Sequence, residues 1–131
     1  MSNEFTIGAS VSVTNGNLKF VSPSVSYRAN QTTANGPAPG AVTATTTGVN
    51  VSLSQLTLPG VTYVTNTDPT NYVTVGLYDG TTFRPMLELL PGDSQVFRLS
   101  RTVLTANTGA DVIRLVANTA SVVVQFNCFD T

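Results

Sequence analysis

The sequence predicts an all-β fold, an antiparallel β-sandwich of jelly-roll type with eight to ten strands. Three observations carry that reading. Short runs alternate apolar and polar residues with a period of two, as strands with one buried face do. Gly, Pro, Asn and Asp clusters separate the runs at intervals of roughly 8–12 residues, the spacing of sandwich strands. Thr, Val, Asn and Ser fill much of the chain. The first two lose rotamer freedom in a helix, and the last two compete for its backbone bonds. A closed barrel is the alternative arrangement of the same strands. At 131 residues the chain is read as one domain, 1–131. Its 41% apolar content is enough for a sizeable core.

The first element is Phe5 to Val13, where Phe5, Ile7, Ala9, Val11 and Val13 alternate with Thr and Ser, a half-buried strand. Asn15-Gly16 then suits a tight type I′ turn, and Leu18 to Val21 runs back to complete a hairpin. Pro23 interrupts the return strand, because it removes a ladder donor and forces a bend, a bulge or an edge position. Val25 to Tyr27 resume it. Ala29 to Gly40 (ANQTTANGPAPG) has neither periodicity nor charge, and reads as a long loop over 29–40.

Ala41 to Thr47 and Val49 to Leu58 read as two strands hinged near Gly48, the second irregular near Ser54-Gln55. Pro59-Gly60 turns the chain into Val61 to Val64, and TNTDPTN follows, where Asn and Asp side chains can cap their own backbone. From Tyr63 to Leu99 the pattern is that of an antiparallel meander. Val73, Val75 and Leu77 alternate with Thr74, Gly76 and Tyr78, and Asp79-Gly80 and Pro91-Gly92 mark the turns. Arg101 to Ala106 is a short strand or connection, and Asn107-Thr108-Gly109 a loop. Asp111 to Ala117 and Ala120 to Phe126 are apolar runs with a tight turn at Asn118-Thr119. The unbroken Val122-Val123-Val124 suggests burial on both faces.

Charge is scarce. Six basic and seven acidic residues leave a formal net charge of −1, and only 10% of residues are charged, against about 25% in ordinary soluble domains. With no Lys/Arg cluster, nucleic acid is not an expected partner. A β protein with so few charges has little to keep its edges apart, which points to self-assembly. The N-terminal stretch MSNEFTIGAS is not a signal peptide, and no apolar run approaches the ~20 residues of a membrane helix, so synthesis in the cytoplasm is expected and no membrane partner.

Catalytic chemistry finds no foothold. Histidine is absent, which removes Ser-His-Asp, Cys-His and His-bearing zinc arrangements. The single Cys128 can form neither an internal disulfide nor a cysteine cluster, and reads as a small buried hydrophobe. No phosphate-binding loop is present, and no cofactor is expected. Asp68, Asp79, Asp93 and Asp111 each sit where a turn favours an aspartate, so they are read as turn formers rather than as an acid/base pair. The expectation is a protein that is not an enzyme.

One stretch carries a resemblance. Asn66, Asp68, Asn71, Tyr72, Val73, Val75 and Gly76, then Phe83, Pro85, Leu87 and Leu89, then Pro91, Gly92, Asp93, Phe97, Arg98 and Leu99 form a pattern. It resembles that of small β-rich virion structural proteins of tailed bacteriophages. The similarity runs from about Gln55 to Phe126, and the first 54 residues lie outside it. It implies a virion component, with a capsid decoration (cement) protein as the first expectation. A tail, neck or fibre-associated module binding a host receptor or glycan is the alternative. The implied partners are further copies of the chain, as a trimer by analogy, and other virion proteins such as the major capsid protein. The contacts are expected from an N-terminal arm, 1–4, and from Asn30, Gln31, Thr32, Asn35, Pro37 and Pro39. The two prolines hold that loop extended and lower the cost of ordering it on binding. Excising Thr32 to Pro39 and closing the gap with two glycines is accordingly expected to leave thermal unfolding nearly unchanged while weakening incorporation into particles.

Overall fold

A computed structural model describes residues 4–31, 33–100 and 111–131. The proposed arm residues 1–3, the contact residue Thr32 and the 101–109 strand and loop lie outside the described residues. All the regular structure described is β, in antiparallel pairs, with no helix. The chain divides into two compact units, residues 1–31 and 32–131.

The first unit holds β1 (Phe5–Ala9), β2 (Ser12–Asn15), β3 (Leu18–Val21) and β4 (Val25–Ala29). β2 pairs with β3, and β1 with β4, so the expected hairpin exists but is broken into two short ribbons. The break on the return side falls at Pro23, as its missing donor requires. The turn differs from expectation. Asn15 faces Leu18, which leaves Gly16 and Asn17 as the two central residues. Of these only Gly16 has positive φ, +56°, the pattern of a type II′ turn rather than I′. Burial differs more. Of the alternating set, Ile7 is buried, whereas Val11 and Val13 are exposed.

The second unit is a sandwich of two four-stranded sheets. It comprises β5 (Ala38–Ala44), β6 (Val49–Asn50), β7 (Pro59–Asn66), β8 (Val73–Tyr78), β9 (Phe83–Leu89), β10 (Ser94–Arg98), β11 (Val112–Ala117) and β12 (Val122–Asp130). One sheet runs β10-β7-β12-β5, the other β6-β11-β8-β9. Consecutive strands lie in opposite sheets at every step except β8 to β9, which is the jelly-roll order. The core between the sheets is drawn from the inward parity of both. Val64, Val122, Val124, Phe126 and Cys128 come from one sheet, and Val73, Val75, Leu89, Ile113 and Leu115 from the other.

That topology corrects several local readings. The Tyr63–Leu99 meander is real only for the β8–β9 hairpin, closed by Asp79-Gly80 with Gly80 at φ +93°. Pro91-Gly92 carries the chain across to the other sheet, where β10 pairs with β7. Asn118-Thr119 likewise joins strands of opposite sheets instead of closing a hairpin. Val123 is 44% exposed between two fully buried valines, so β12 has one buried face, not two. Val49 to Leu58 is mostly irregular. Only Val49 and Asn50 pair, while Val51, Leu53 and Leu56 plug the core from a turn. The hinge at Gly48 is present, with φ +99° and the Arg114 guanidinium packed where a Cβ would stand.

The 29–40 loop is shorter than its composition suggests. β4 runs to Ala29 and β5 begins at Ala38, whose side chain is buried in the core. Pro39 is tolerated inside β5 because that strand is the edge of its sheet. Excision of 32–39 would therefore remove a core residue and the start of a strand, and unfolding would not stay unchanged.

Gly76 has a strict packing reason. The register shifts between Val75 and Gly76, so that Met86 bulges out of β9 and the backbone of Arg84 and Pro85 crowds β8. A Cβ at Gly76 would collide with the Arg84 carbonyl oxygen and lie 2.8 Å from the Pro85 Cα. Backbone cannot swing aside as a side chain can. Gly76→Ala is expected to cost about 2 kcal/mol, and Gly76→Val more, as a lowered urea midpoint with unchanged slope. An unshifted midpoint would mean that the bulge relaxes freely.

Candidate functional site

The turn aspartates hold their own backbone, as their positions in the sequence implied. Asp68 Oδ1 accepts from the N–H groups of Thr70 (2.8 Å) and Asn71 (2.6 Å), which lower its pKa. Asp79 Oδ1 accepts from Thr82 N (2.7 Å) and Thr81 N (2.9 Å), and Oδ2 meets Arg84 at 2.8 Å. The Thr82 and Thr81 N–H groups, with Arg84, hold the Asp79 carboxyl down at about 2. Asp93 Oδ2 accepts from Leu90 N at 3.0 Å. Asp111 opens β11 with φ +59°, a left-handed position that aspartate tolerates better than most residues. No cluster of three or more His, Cys, Asp or Glu that could hold a metal occurs among the described residues. Cys128 is buried as expected, accepts a bond from Thr62 Oγ1 at 3.2 Å, and has its thiol pKa raised by burial.

Two buried polar side chains do more than the sequence reading assigned to them. Asn66, at the end of β7, is fully buried. Its amide donates to the carbonyls of Asn71 (2.8 Å), Leu89 (3.0 Å) and Leu90 (3.2 Å), and its Oδ1 accepts from Asp68 N (2.9 Å). It thereby pins the 67–72 loop to the β9–β10 crossover. Asp130, at the end of β12, is also fully buried. Its carboxylate accepts from Thr33 Oγ1 (2.5 Å), Asn35 Nδ2 (3.0 Å), Thr57 N (3.0 Å) and Leu58 N (2.8 Å). Burial alone would raise the Asp130 pKa, but these donors outweigh it and leave the group below the ordinary carboxylate range. The signal for both was present: each is a polar residue on the apolar parity of its strand.

The six proposed contact residues fall on both sides of the boundary between the two units. Asn30 and Pro37 are exposed, Gln31 N donates to Glu4 Oε2 at 3.0 Å, and Thr32 lies outside the described residues. Asn35 is taken up by Asp130, since its carbonyl also accepts from Asp130 N at 3.3 Å. Pro39 sits in β5 opposite Asn127.

Two other surfaces stand out. On the outward face of the β10-β7-β12-β5 sheet, Ser94 and Val96 lie beside Thr65 and Tyr63, which lie beside Gln125 and Asn127. None of the six bears a charge, and Tyr63 and Val96 are 45% and 43% exposed. Between the sheets, at the β9–β10 side, an apolar cavity of about 190 Å³ is lined by residues including Leu77, Met86, Leu87, Phe97 and Ile113. Among the described residues its wall is apolar except for Arg98 and Ser100. Tyr63 belongs to one sheet, and Tyr78, in the other, lies under the Arg114 guanidinium at 4.1 Å.

Compared with known proteins, the chain matches no family model, no curated protein and no solved structure.

Proposed function

We propose that this chain is a non-enzymatic structural subunit of a bacteriophage particle, a capsid decoration protein that associates with copies of itself and with the major capsid protein. The observation that carries the reading is the uncharged outward face formed by Ser94, Val96, Tyr63, Thr65, Gln125 and Asn127. Such a face suits a flat protein contact, where buried charge would be costly and hydroxyl and amide groups can find partners. The resemblance of the Asn66–Leu99 pattern to virion proteins supports it. So does the use of Asp68, Asp79 and Asp93 within their own turns, which leaves these carboxylates engaged in local structure. Jelly rolls also serve in viral capsids, an analogy of fold rather than of site.

The mechanism is geometric. A rigid sandwich presents weak contacts, and the symmetry of a shell, with a trimer as the favoured state, multiplies them through effective concentration. Gold-labelled antibody against the chain, applied to purified particles, should decorate the head surface. Label confined to the tail or neck, or absence of the chain from particles by mass spectrometry, would overturn the decoration role.

A further inference from the structure

The sequence holds two Asn-Gly pairs, Asn15-Gly16 and Asn35-Gly36. Glycine after asparagine has a chemical consequence, because its backbone nitrogen carries no side chain to block its approach to the asparagine side-chain carbonyl. Attack there closes a five-membered succinimide and expels ammonia, and water then reopens the ring. The other described asparagines all precede residues with side chains. Alike in sequence, the two pairs are held very differently in the structure.

Asn15-Gly16 lies at the tip of the β2–β3 ribbon. Asn15 is exposed, and among the described residues neither its side chain nor the Gly16 N–H has a hydrogen-bond partner. A Cβ at Gly16 would meet nothing within 4 Å, so solvent reaches the turn freely. The pair of Asn15 with Leu18 is the last of a two-stranded ribbon. Such ribbons are at best marginally stable in water, and their ends open at the least cost. The backbone at Asn15 is therefore free to leave its extended conformation and bring the side-chain carbonyl to the Gly16 nitrogen.

Asn35-Gly36 is clamped. The Asn35 amide donates to Asp130 Oδ2 at 3.0 Å, and its backbone carbonyl accepts from Asp130 N at 3.3 Å. Gly36 lies so close to β12 that a Cβ would stand 2.8 Å from both the Cys128 carbonyl oxygen and Phe129 Cδ1. Ring closure would have to pull the amide away from a fully buried carboxylate. We propose that Asn15 is a site of spontaneous modification, deamidating through a succinimide to aspartate and isoaspartate, and that Asp130 holds Asn35 out of the same reaction.

The step needs only water and base. The Gly16 nitrogen gives its proton to solvent base and bonds to Asn15 Cγ, and the Cγ–Nδ2 bond breaks as ammonia leaves. Water then opens the ring at either carbonyl. Opening at Cγ gives aspartate, and opening at the α-carbonyl gives isoaspartate, whose main chain runs through the side-chain methylene. The lengthened backbone cannot keep position 15 opposite Leu18, and the added carboxylate takes the formal net charge from −1 to −2. At position 15 that charge enters water. At position 35 it would face Asp130 and replace a donor by a second carboxylate, so the clamp guards the pair whose conversion would do more harm.

The test is peptide mapping by mass spectrometry of the full chain, held native in mildly alkaline buffer and in parallel in urea. In urea the two pairs should react at similar rates, since only local sequence acts there. In the native chain Asn15 should convert at least about tenfold faster than Asn35, with isoaspartate at position 15 and an acidic shift on isoelectric focusing. Asp130→Asn removes the carboxylate that Asn35 donates to, and should raise the native rate at Asn35 toward its rate in urea while leaving Asn15 unchanged. Gly76→Ala weakens the same sandwich without touching Asp130, and should leave Asn35 protected. An intact Asn15, or equal native rates at the two pairs, would overturn the site. Asn35 still protected in Asp130→Asn, or equally released in Gly76→Ala, would overturn the clamp.

Discussion

Replacing Asn66 by aspartate is expected to lower stability at neutral pH by about 4 kcal/mol, enough to unfold much of a marginally stable domain. The side chain is fully buried, and its amide faces three carbonyl oxygens. Aspartate keeps the shape but removes every donor, and puts a carboxylate among acceptors that can only repel it. The Asn71, Leu89 and Leu90 carbonyls lose their partner at the same moment. Asn66→Leu removes the same donors without adding charge, and should cost less, about 2–3 kcal/mol. The two are separable by pH. The introduced carboxyl has its folded pKa raised by burial, so its penalty grows as pH rises above the unfolded value near 4 and shrinks below it. Urea melts of wild type and variant should therefore converge toward pH 4. An Asn66→Asp protein as stable as wild type at pH 7 would show that the amide is not the clamp its geometry suggests.

The second large effect belongs to Asp130. Its carboxylate holds two backbone N–H groups, of Thr57 and Leu58, and the side chains of Thr33 and Asn35. Asp130→Ala leaves those donors without an acceptor beside the core and is expected to cost about 3–4 kcal/mol. Asp130→Asn keeps one carbonyl oxygen for the two N–H groups, so its loss at pH 7 should be smaller, about 1–2 kcal/mol. The pH behaviour follows from the lowered folded pKa. Stability from this group is fully present above the unfolded carboxylate value of 3.8 and is lost as pH falls through the folded one. Asp79, held at about 2, acts in the same direction, between about pH 4 and pH 2. Wild type should thus soften between about pH 4 and pH 2, and Asp130→Asn should show a shallower acid slope. An unchanged slope would assign the acid loss to other carboxyls.

Strand existence was legible in the sequence because it is local. The alternation of Val73, Val75 and Leu77 places one face inward whatever its neighbours are, and the hairpin turn at Gly80 needs a residue that accepts positive φ. Sheet membership was not legible. Pro91-Gly92 reverses the chain equally well within a sheet or between sheets, and only the packing of β10 beside β7 decides which. Valine in three successive positions likewise hides the fact that Val123 faces outward, since β-branched residues suit both faces of a strand. Asn66 and Asp130 escaped because a polar residue in an apolar register looks like the end of a strand. Here it is the point where a strand binds its surroundings. The alternation from Phe5 to Val13 was read as one half-buried strand, but Ile7 is buried while Val11 and Val13 are exposed, because the periodicity shows which residues share a face and not what covers it.

The order of the strands also governs how the sandwich can be made. β12, last in the chain, lies between β7 and β5, and β11, next to last, lies between β6 and β8. During synthesis, therefore, one sheet cannot close until β11 has left the ribosome, nor the other until β12 has. Before that moment β5 lacks its hydrogen-bonding neighbour, while the β8–β9 hairpin can already form. Folding of this unit is accordingly dominated by contacts between distant residues and slow on the scale of local hairpins. The nascent chain exposes unpaired, nearly uncharged strands throughout that delay, which makes crowding by neighbouring nascent chains its most hazardous stage.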